Sequence, residues 1–275
     1  MPELPEVEFA RRLVSRRLLN NELSEITLGV HANTSDRDEL PRLESCQGHP
    51  LLGVLRHGKQ LYLSFGVSGI SFHLGMTGKL QVLAPSDVEP PHVRLKLHFQ
   101  DRMLVFRDTR KIGQVRALSL GGWREYLTEK RIGPDFFAET QDLDLISPRV
   151  LRGRRTIKAQ LLDQHWYAGI GNIYACEGLF RARISPFELG QNLSQEQLIL
   201  LLRKIRASMD LTLEREQGDE IRYLSQSKTE NPFLVYGKQG CACPNCGQAI
   251  ERVEQHGRPT FFCYACQSVS QKFRR

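Results

Sequence analysis

Four cysteines near the C-terminal end constrain the fold most. They read Cys243-x2-Cys246-x16-Cys263-x2-Cys266, within "CPNC" and "CYAC". Two CxxC knuckles offer four thiolates, the ligand set of a tetrahedral zinc site. With every coordination position filled by protein, the metal holds structure and does not activate water. So short a tail has little core of its own, and zinc supplies the missing stability. The span between the knuckles, "GQAIERVEQHGRPTFF", reads as a β-hairpin with "HGRP" at its tip. That puts Arg258 on a rigid outward turn suited to a phosphate, with a solvated surface charge as the plainer alternative. One structural zinc is the expected cofactor.

The other cysteines, Cys46, Cys176 and Cys241, read as ordinary small thiols. The chain has 275 residues, 40% of them hydrophobic and 25% charged, and carries a net charge of +7. The size allows one large domain or two modest ones, and the composition is that of a globular protein. A basic excess suits nucleic acid, an anionic membrane surface or an acidic protein, although spare surface lysines give the same sum. No run approaches the roughly 18 apolar residues that span a bilayer. No apolar segment follows the N-terminal charges in the manner of a secretory signal. A cytoplasmic protein with reduced thiols and no membrane attachment is expected.

Along the chain the texture changes twice. After Pro5, the positions Val7, Ala10, Val14 and Leu18 repeat at helical spacing, with Arg11, Arg12, Arg16 and Arg17 on other faces. From about residue 23 to 120, short alternating runs such as "LLGVLRHGKQLYLSF" and "HVRLKLHFQDRMLVFRD" predict an antiparallel sandwich or barrel, with a tight turn at "FQDRML". After "RIGPD" the pattern is helical, over about 148–166, 172–180 and 194–216, and Ser194 with Gln197 reads as a capping box. The fold class is therefore α+β. An N-terminal antiparallel β-sandwich with flanking helices (1–132) precedes a helical domain (133–235) and a zinc hairpin (236–275).

Between two of the helical segments stands "GIGN". It lacks the third glycine and the preceding strand of a dinucleotide fingerprint. Its glycines permit a sharp turn, and Asn172 heads a helix whose free N–H groups suit a phosphate. An ordinary helix hairpin is the alternative.

Four separated signatures, "PELPEVE" at the start, "HGK" at 57–59, "GIGNIYACE" at 169–177 and the zinc hairpin with Arg258, resemble the formamidopyrimidine-DNA glycosylase / endonuclease VIII family. The loops "HLGMTG" (73–78) and "DTRKIG" (108–113) do so as well, and the formamidopyrimidine branch is the nearer one. The resemblance spans essentially the whole chain and implies that the helical part is a helix–two-turn–helix DNA-binding domain. It implies a bifunctional DNA glycosylase and abasic-site lyase of base excision repair. Such an enzyme works as a monomer on double-stranded DNA, removing 8-oxoguanine and formamidopyrimidines by β,δ-elimination. The same chemistry on oxidised pyrimidines, or a non-enzymatic lesion-binding protein, are the alternatives.

The resemblance also implies roles for single residues. Pro2, freed of Met1, is a secondary amine that attacks C1′ and forms a Schiff base. Glu3 carries protons and Glu6 supports it. Lys59 binds phosphate near the lesion and supports catalysis, and Asn172 and Arg258 clamp phosphates around the extruded nucleotide, with Lys158 nearby and His73 in the first of the two loops. Met76 fills the space the base leaves, and Arg110 faces the orphaned partner base. Glu177 matches an acid near the elbow, in a supporting role or in a salt bridge. The chain departs from the family pattern in "DTRKIG", where Thr109 and Ile112 replace the usual proline and phenylalanine. Isoleucine can wedge but cannot stack as a ring. The polar stretch 214–232 has no confident match to the family loop that closes over an oxidised purine.

Overall fold

The computed structural model describes residues 2–138, 153–216 and 231–267. They form two compact units, one from residues 2–132 with Glu216 and the other from 133–138, 153–215 and 231–267. Most of the polar stretch 214–232 lies outside the described residues.

The first unit begins with α1 (Leu4–Leu18). The Glu6 carboxylate accepts the Glu3 N–H at 2.6 Å, satisfying one of the donors a helix start leaves open. Nine strands and two more helices follow: β1 (Glu22–Leu28), α2 (Thr34–Leu43), β2 (His49–Pro50), β3 (Gly53–His57), β4 (Gln60–Ser64), β5 (Ser68–His73), β6 (Lys79–Leu83), β7 (Val93–Phe99), β8 (Met103–Arg107), β9 (Gln114–Ser119) and α3 (Gly122–Glu129). The strands pair antiparallel in two sheets, of order β2-β1-β7-β8-β6 and β3-β4-β5-β9. Alternation aims Leu95, Leu97, Leu104 and Phe106 of one sheet and Leu61, Leu63, Ile70, Phe72 and Val115 of the other into one core. Val7, Ala10, Val14 and Leu18 of α1 join it, as the spacing predicts. The Phe99 N–H bonds Arg102 O at 2.8 Å and closes the expected β7–β8 turn.

On another face of α1, Glu8 gathers three guanidiniums: Arg11 (2.8 and 2.9 Å), Arg12 (2.8 Å) and Arg56 of β3 (3.0 Å). Burial alone would raise its pKa, but these donors outweigh that and hold it at about 2. Through Arg56 the carboxylate ties the N-terminal helix to the sheet.

One helix departs from the sequence reading, which saw β texture from about residue 23 to 120. The helix α2 starts at a capping box, Asn33 accepting the Asp36 N–H and Asp36 accepting the Asn33 N–H, each at 2.9 Å. The helix α3 follows Gly121, whose φ of 79° turns the chain. Its Trp123 lies stacked between Tyr126 and Tyr62.

The second unit holds α4 (Ile157–Leu161), α5 (Asn172–Arg181), α6 (Gln195–Arg215) and the hairpin β10 (Glu251–Gln255) and β11 (Arg258–Phe262). The helix expected over 148–166 lies partly outside the described residues, and its described part is far shorter. Asp163 ends it by accepting the His165 N–H on its side chain (3.2 Å) and the Trp166 N–H on its carbonyl (3.0 Å). The capping box of α6 forms as expected, Ser194 N–H to Gln197 Oε1 at 2.9 Å and Gln197 N–H to Ser194 Oγ at 3.2 Å. Helices α5 and α6 approach closely at Gly178, where a Cβ would stand 2.2 Å from the Ile205 side chain. Among the described residues no helix is long and apolar enough to cross a membrane.

Because Glu8 has a folded pKa below the ordinary 4.5, its contribution is complete above that pH and fades as the pH falls through about 2. Glu8→Gln is expected to cost on the order of 2 kcal/mol at neutral pH, a figure discounted for the solvent around Arg11 and Arg12. In chemical denaturation across a pH series, the gap between wild type and variant should close between pH 4.5 and 2.

Candidate functional site

The first unit buries Pro2 and Glu3 at the mouth of α1, where Glu3 serves as N-cap. Lys59 sits in the two-residue turn between His57 and Gln60, where Gly58 takes a φ of 57°. Arg56 donates to Gly58 O at 3.2 Å while its Nε donates to Glu8 at 3.0 Å. One guanidinium thus locks the Lys59 turn to the N-terminal helix. His73 faces Gln60 across the β4–β5 ladder. Burial, and then the nearby Lys59 charge, lower its pKa, so the imidazole is neutral at physiological pH.

Two loops project from the ends of β5 and β8, residues 74–78 and 108–113. Met76 (41% exposed) and Ile112 (43%) stand out from them, which excludes core packing for Met76. Arg110 Nη1 lies 3.0 Å from Met76 Sδ, so the two tips touch. Gly75 has a φ of 63°, and a Cβ there would stand 2.8 Å from the Gly113 backbone nitrogen. The loops therefore meet backbone to backbone. Beneath them, Arg94 is 1% exposed. The β7–β8 pairing skips from Val93↔Arg107 to Leu95↔Phe106, leaving Arg94 in a bulge that re-aims its side chain. It donates twice to Asp36 (2.6 and 2.8 Å), once to Asp108 (3.1 Å) and once to Gly113 O (2.9 Å).

The second unit brings the elbow to the zinc hairpin. Gly169 has a φ of 117°, Gly171 caps α5, and Asn172 is its first residue. Asn172 Nδ2 donates to Pro259 O at 2.8 Å. Buried Lys158 donates to the same oxygen at 3.2 Å and to Thr260 Oγ1 at 2.6 Å. The hairpin turn has φ of 52° at His256 and 68° at Gly257, leaving Arg258 exposed at the tip as the sequence suggests. Next to such a two-residue turn the pair Glu254↔Pro259 is non-hydrogen-bonded, so the Pro259 carbonyl points outward to both donors. Proline fits there because the missing N–H removes no ladder bond.

Glu177 makes no salt bridge in the described residues. It accepts the main-chain N–H groups of Leu234 (3.0 Å), Val235 (2.8 Å) and Tyr236 (3.0 Å), anchoring the chain that enters the hairpin. The Cys243, Cys246, Cys263 and Cys266 sulfurs lie within 4.8 Å of one another. Cys243–Cys266 is 3.8 Å and Cys246–Cys263 is 3.5 Å. Zinc–sulfur bonds of about 2.3 Å in a tetrahedron give edges of about 3.8 Å. The cluster fits one zinc ion, over a small core that includes Cys176, Phe180, Val235, Ile250 and Phe261.

Sequence reasoning thus found the residues in family-like motifs, exposed and buried alike, and missed those that brace them, above all Arg56, Asp36, Arg94 and Asp108. The only local signal among these was the Asn33–Asp36 capping box.

Known proteins resemble the chain along its length. Residues 1–115 match the formamidopyrimidine-DNA glycosylase N-terminal domain, 132–222 the formamidopyrimidine-DNA glycosylase H2TH domain, and 242–269 the zinc finger found in FPG and IleRS. A formamidopyrimidine-DNA glycosylase of Thermus thermophilus is 35% identical over 280 residues, covering 97% of this chain and 98% of the relative. One from Streptococcus agalactiae is 35% identical over 261 residues, covering 92% and 94%. Two solved structures superpose closely, each covering 97% of this chain and 100% of the other. One is MutM in complex with carbocyclic 8-oxo-G containing DNA (TM-score 0.85, 31% identity). The other is Lactococcus lactis Fpg with an abasic site containing DNA (TM-score 0.86, 30% identity).

Glu177→Ala takes the acceptor from three main-chain N–H groups, one buried and two part-buried, and is expected to cost on the order of 2 kcal/mol. Thermal unfolding followed with a zinc-release dye should show earlier melting and metal loss at lower chelator concentration. Unchanged zinc retention would remove the anchoring role.

Proposed function

The chain belongs to the formamidopyrimidine-DNA glycosylase family, and on that premise we propose that it is a bifunctional glycosylase and abasic-site lyase of base excision repair, cutting oxidised purines from duplex DNA. Its substrates are 8-oxoguanine and formamidopyrimidines. The protein works as a monomer in three parts, residues 1–132, 133–235 and 236–275. Removal of Met1 leaves the Pro2 nitrogen a secondary amine, part of which is unprotonated at neutral pH. That nitrogen attacks C1′ of the everted nucleotide, and the bond to the damaged base breaks. Glu3 gives a proton to the opening sugar, and the nitrogen's lone pair forms the imine. Loss of the C2′ proton then expels the 3′ phosphate, loss of the C4′ proton expels the 5′ phosphate, and water hydrolyses the remaining imine to return the amine.

The observation that carries this reading is the lock on the N-terminal helix. Glu3 is fixed through its N–H on Glu6, and Glu8 with Arg56 fixes the Lys59 turn to the same helix. An amine nucleophile on a fraying terminus would lose the orientation that makes attack fast. Neutral His73 beside Lys59 adds no charge that would compete for the phosphate. Arg258 and Asn172 bind the phosphates flanking the lesion, Lys158 sets the hairpin that presents Arg258, and zinc keeps that hairpin folded. Met76 and Arg110 fill the gap in the duplex.

Borohydride reduction tests the reading. The protein should become covalently joined to DNA carrying 8-oxoguanine or an abasic site, and Pro2→Gly should trap poorly. A duplex panel should show faster excision of oxidised purines than of oxidised pyrimidines. Absence of any trapped product would favour a lesion-binding protein, and faster pyrimidine excision would correct the substrate.

A further inference from the structure

We propose that Thr77 is a positioning residue for base eversion: its hydroxyl latches the loop carrying Met76 to the loop carrying Arg110, so that both tips enter the duplex as one rigid wedge. The proposal rests on the function proposed above.

A threonine hydroxyl has one proton to donate and lone pairs to accept with. Both capacities are used here, and both point at the other loop. Thr77 Oγ1 donates to Asp108 Oδ1 and accepts the Arg110 N–H at 3.1 Å. The same N–H lies 3.2 Å from Asp108 Oδ1, so Thr77, Asp108 and the Arg110 backbone close one small ring. Asp108 cannot swing away. Its second oxygen accepts the Gly113 N–H at 2.7 Å and Arg94 Nη1 at 3.1 Å, and Arg94 is held by Asp36 from behind. The exposed residues on either side of the latch are Met76 and Arg110, whose side chains touch.

The mechanical reason is direct. A wedge that parts stacked bases works against a restoring force. Tips that move independently lose freedom when they enter the duplex, and that loss subtracts from the insertion energy. A latch tied to a buried ion network removes the loss in advance. Lyase chemistry on a flexible strand with no partner needs no wedge and should not sense the latch.

Thr77→Val keeps the shape, removes both hydrogen bonds and leaves the Asp36–Arg94–Asp108 contacts intact. Excision of 8-oxoguanine from a base-paired duplex should slow about tenfold, the weight of one to two hydrogen bonds. Strand cleavage at an abasic site in single-stranded DNA should stay within about twofold of wild type. The signal of 2-aminopurine placed opposite the lesion, which reports unstacking, should rise more slowly. Thr77→Ser, which keeps the hydroxyl, should recover duplex excision. Equal duplex rates for Thr77→Val and wild type would overturn the proposal, as would equal slowing on both substrates. A Thr77→Val protein that no longer folds would assign Thr77 to stability and overturn it too. If the wild type itself forms no borohydride adduct, the catalytic reading fails and the latch with it. Adduct formation by wild type with an unaffected Thr77→Val removes the latch alone.

Discussion

A guanidinium shut away from water must be met by anions, and Arg94 organises the working edge of the first unit for that reason. Its charge is opposed by Asp36 and Asp108, another N–H reaches Gly113 O, and its Cζ lies 5.1 Å from the Phe106 ring centroid. Left alone, either carboxylate would be a buried charge whose exposure to its neighbours costs several kcal/mol. The network therefore exists as a set or not at all. Its members come from α2, the bulge in β7 and the loop after β8, so the sandwich and its projecting loops share one electrostatic anchor. Glu8 does the same at the other working feature, where Arg11, Arg12 and Arg56 hold the opening helix to the turn bearing Lys59.

The second unit reaches a similar end with a metal in place of an ion network. Four thiolates give the hairpin a fixed shape it lacks the apolar area to hold alone. A fixed hairpin presents a carbonyl at Pro259 that two donors from the helical part can share. Glu177 secures the chain that leads into it by capping three successive amides. In both units Met76, Arg110 and Arg258, proposed to meet DNA, stand exposed on buried, hydrogen-bonded supports, an order that limits reorganisation when charge and strain arrive.

What sequence conveyed and what it withheld divide along physical lines. The zinc knuckles, the Arg258 turn, the first helix and the alternating strands depend on spacing within a few residues, and all were legible. The short helix α2 was not, because it interrupts a β context and carries few apolar positions, and α3 is a single short helix after the last strand of the first unit. The helix expected from residue 148 was read too long because Asp163 halts it through a side-chain bond that helical periodicity does not register. The supporting network was hidden for another reason. Arg94 meets Asp36 from 58 positions away, and Lys158 meets Thr260 from 102. Such pairs are set by tertiary packing, and no window of single-chain pattern contains them. Residues with family-like motifs were visible in sequence, while their holders were visible only in three dimensions.

The backbone seam at Gly75 and Gly113 sorts the neighbouring positions into two kinds. At the seam a Cβ on Gly75 would strike the Gly113 main chain and one on Gly113 the Phe106 ring, so those letters are closed to change. The outward letters at 76, 110 and 112 are exposed and answer to no such collision. The outward letters proposed to meet the duplex can therefore be rewritten while the joint below them stays untouched.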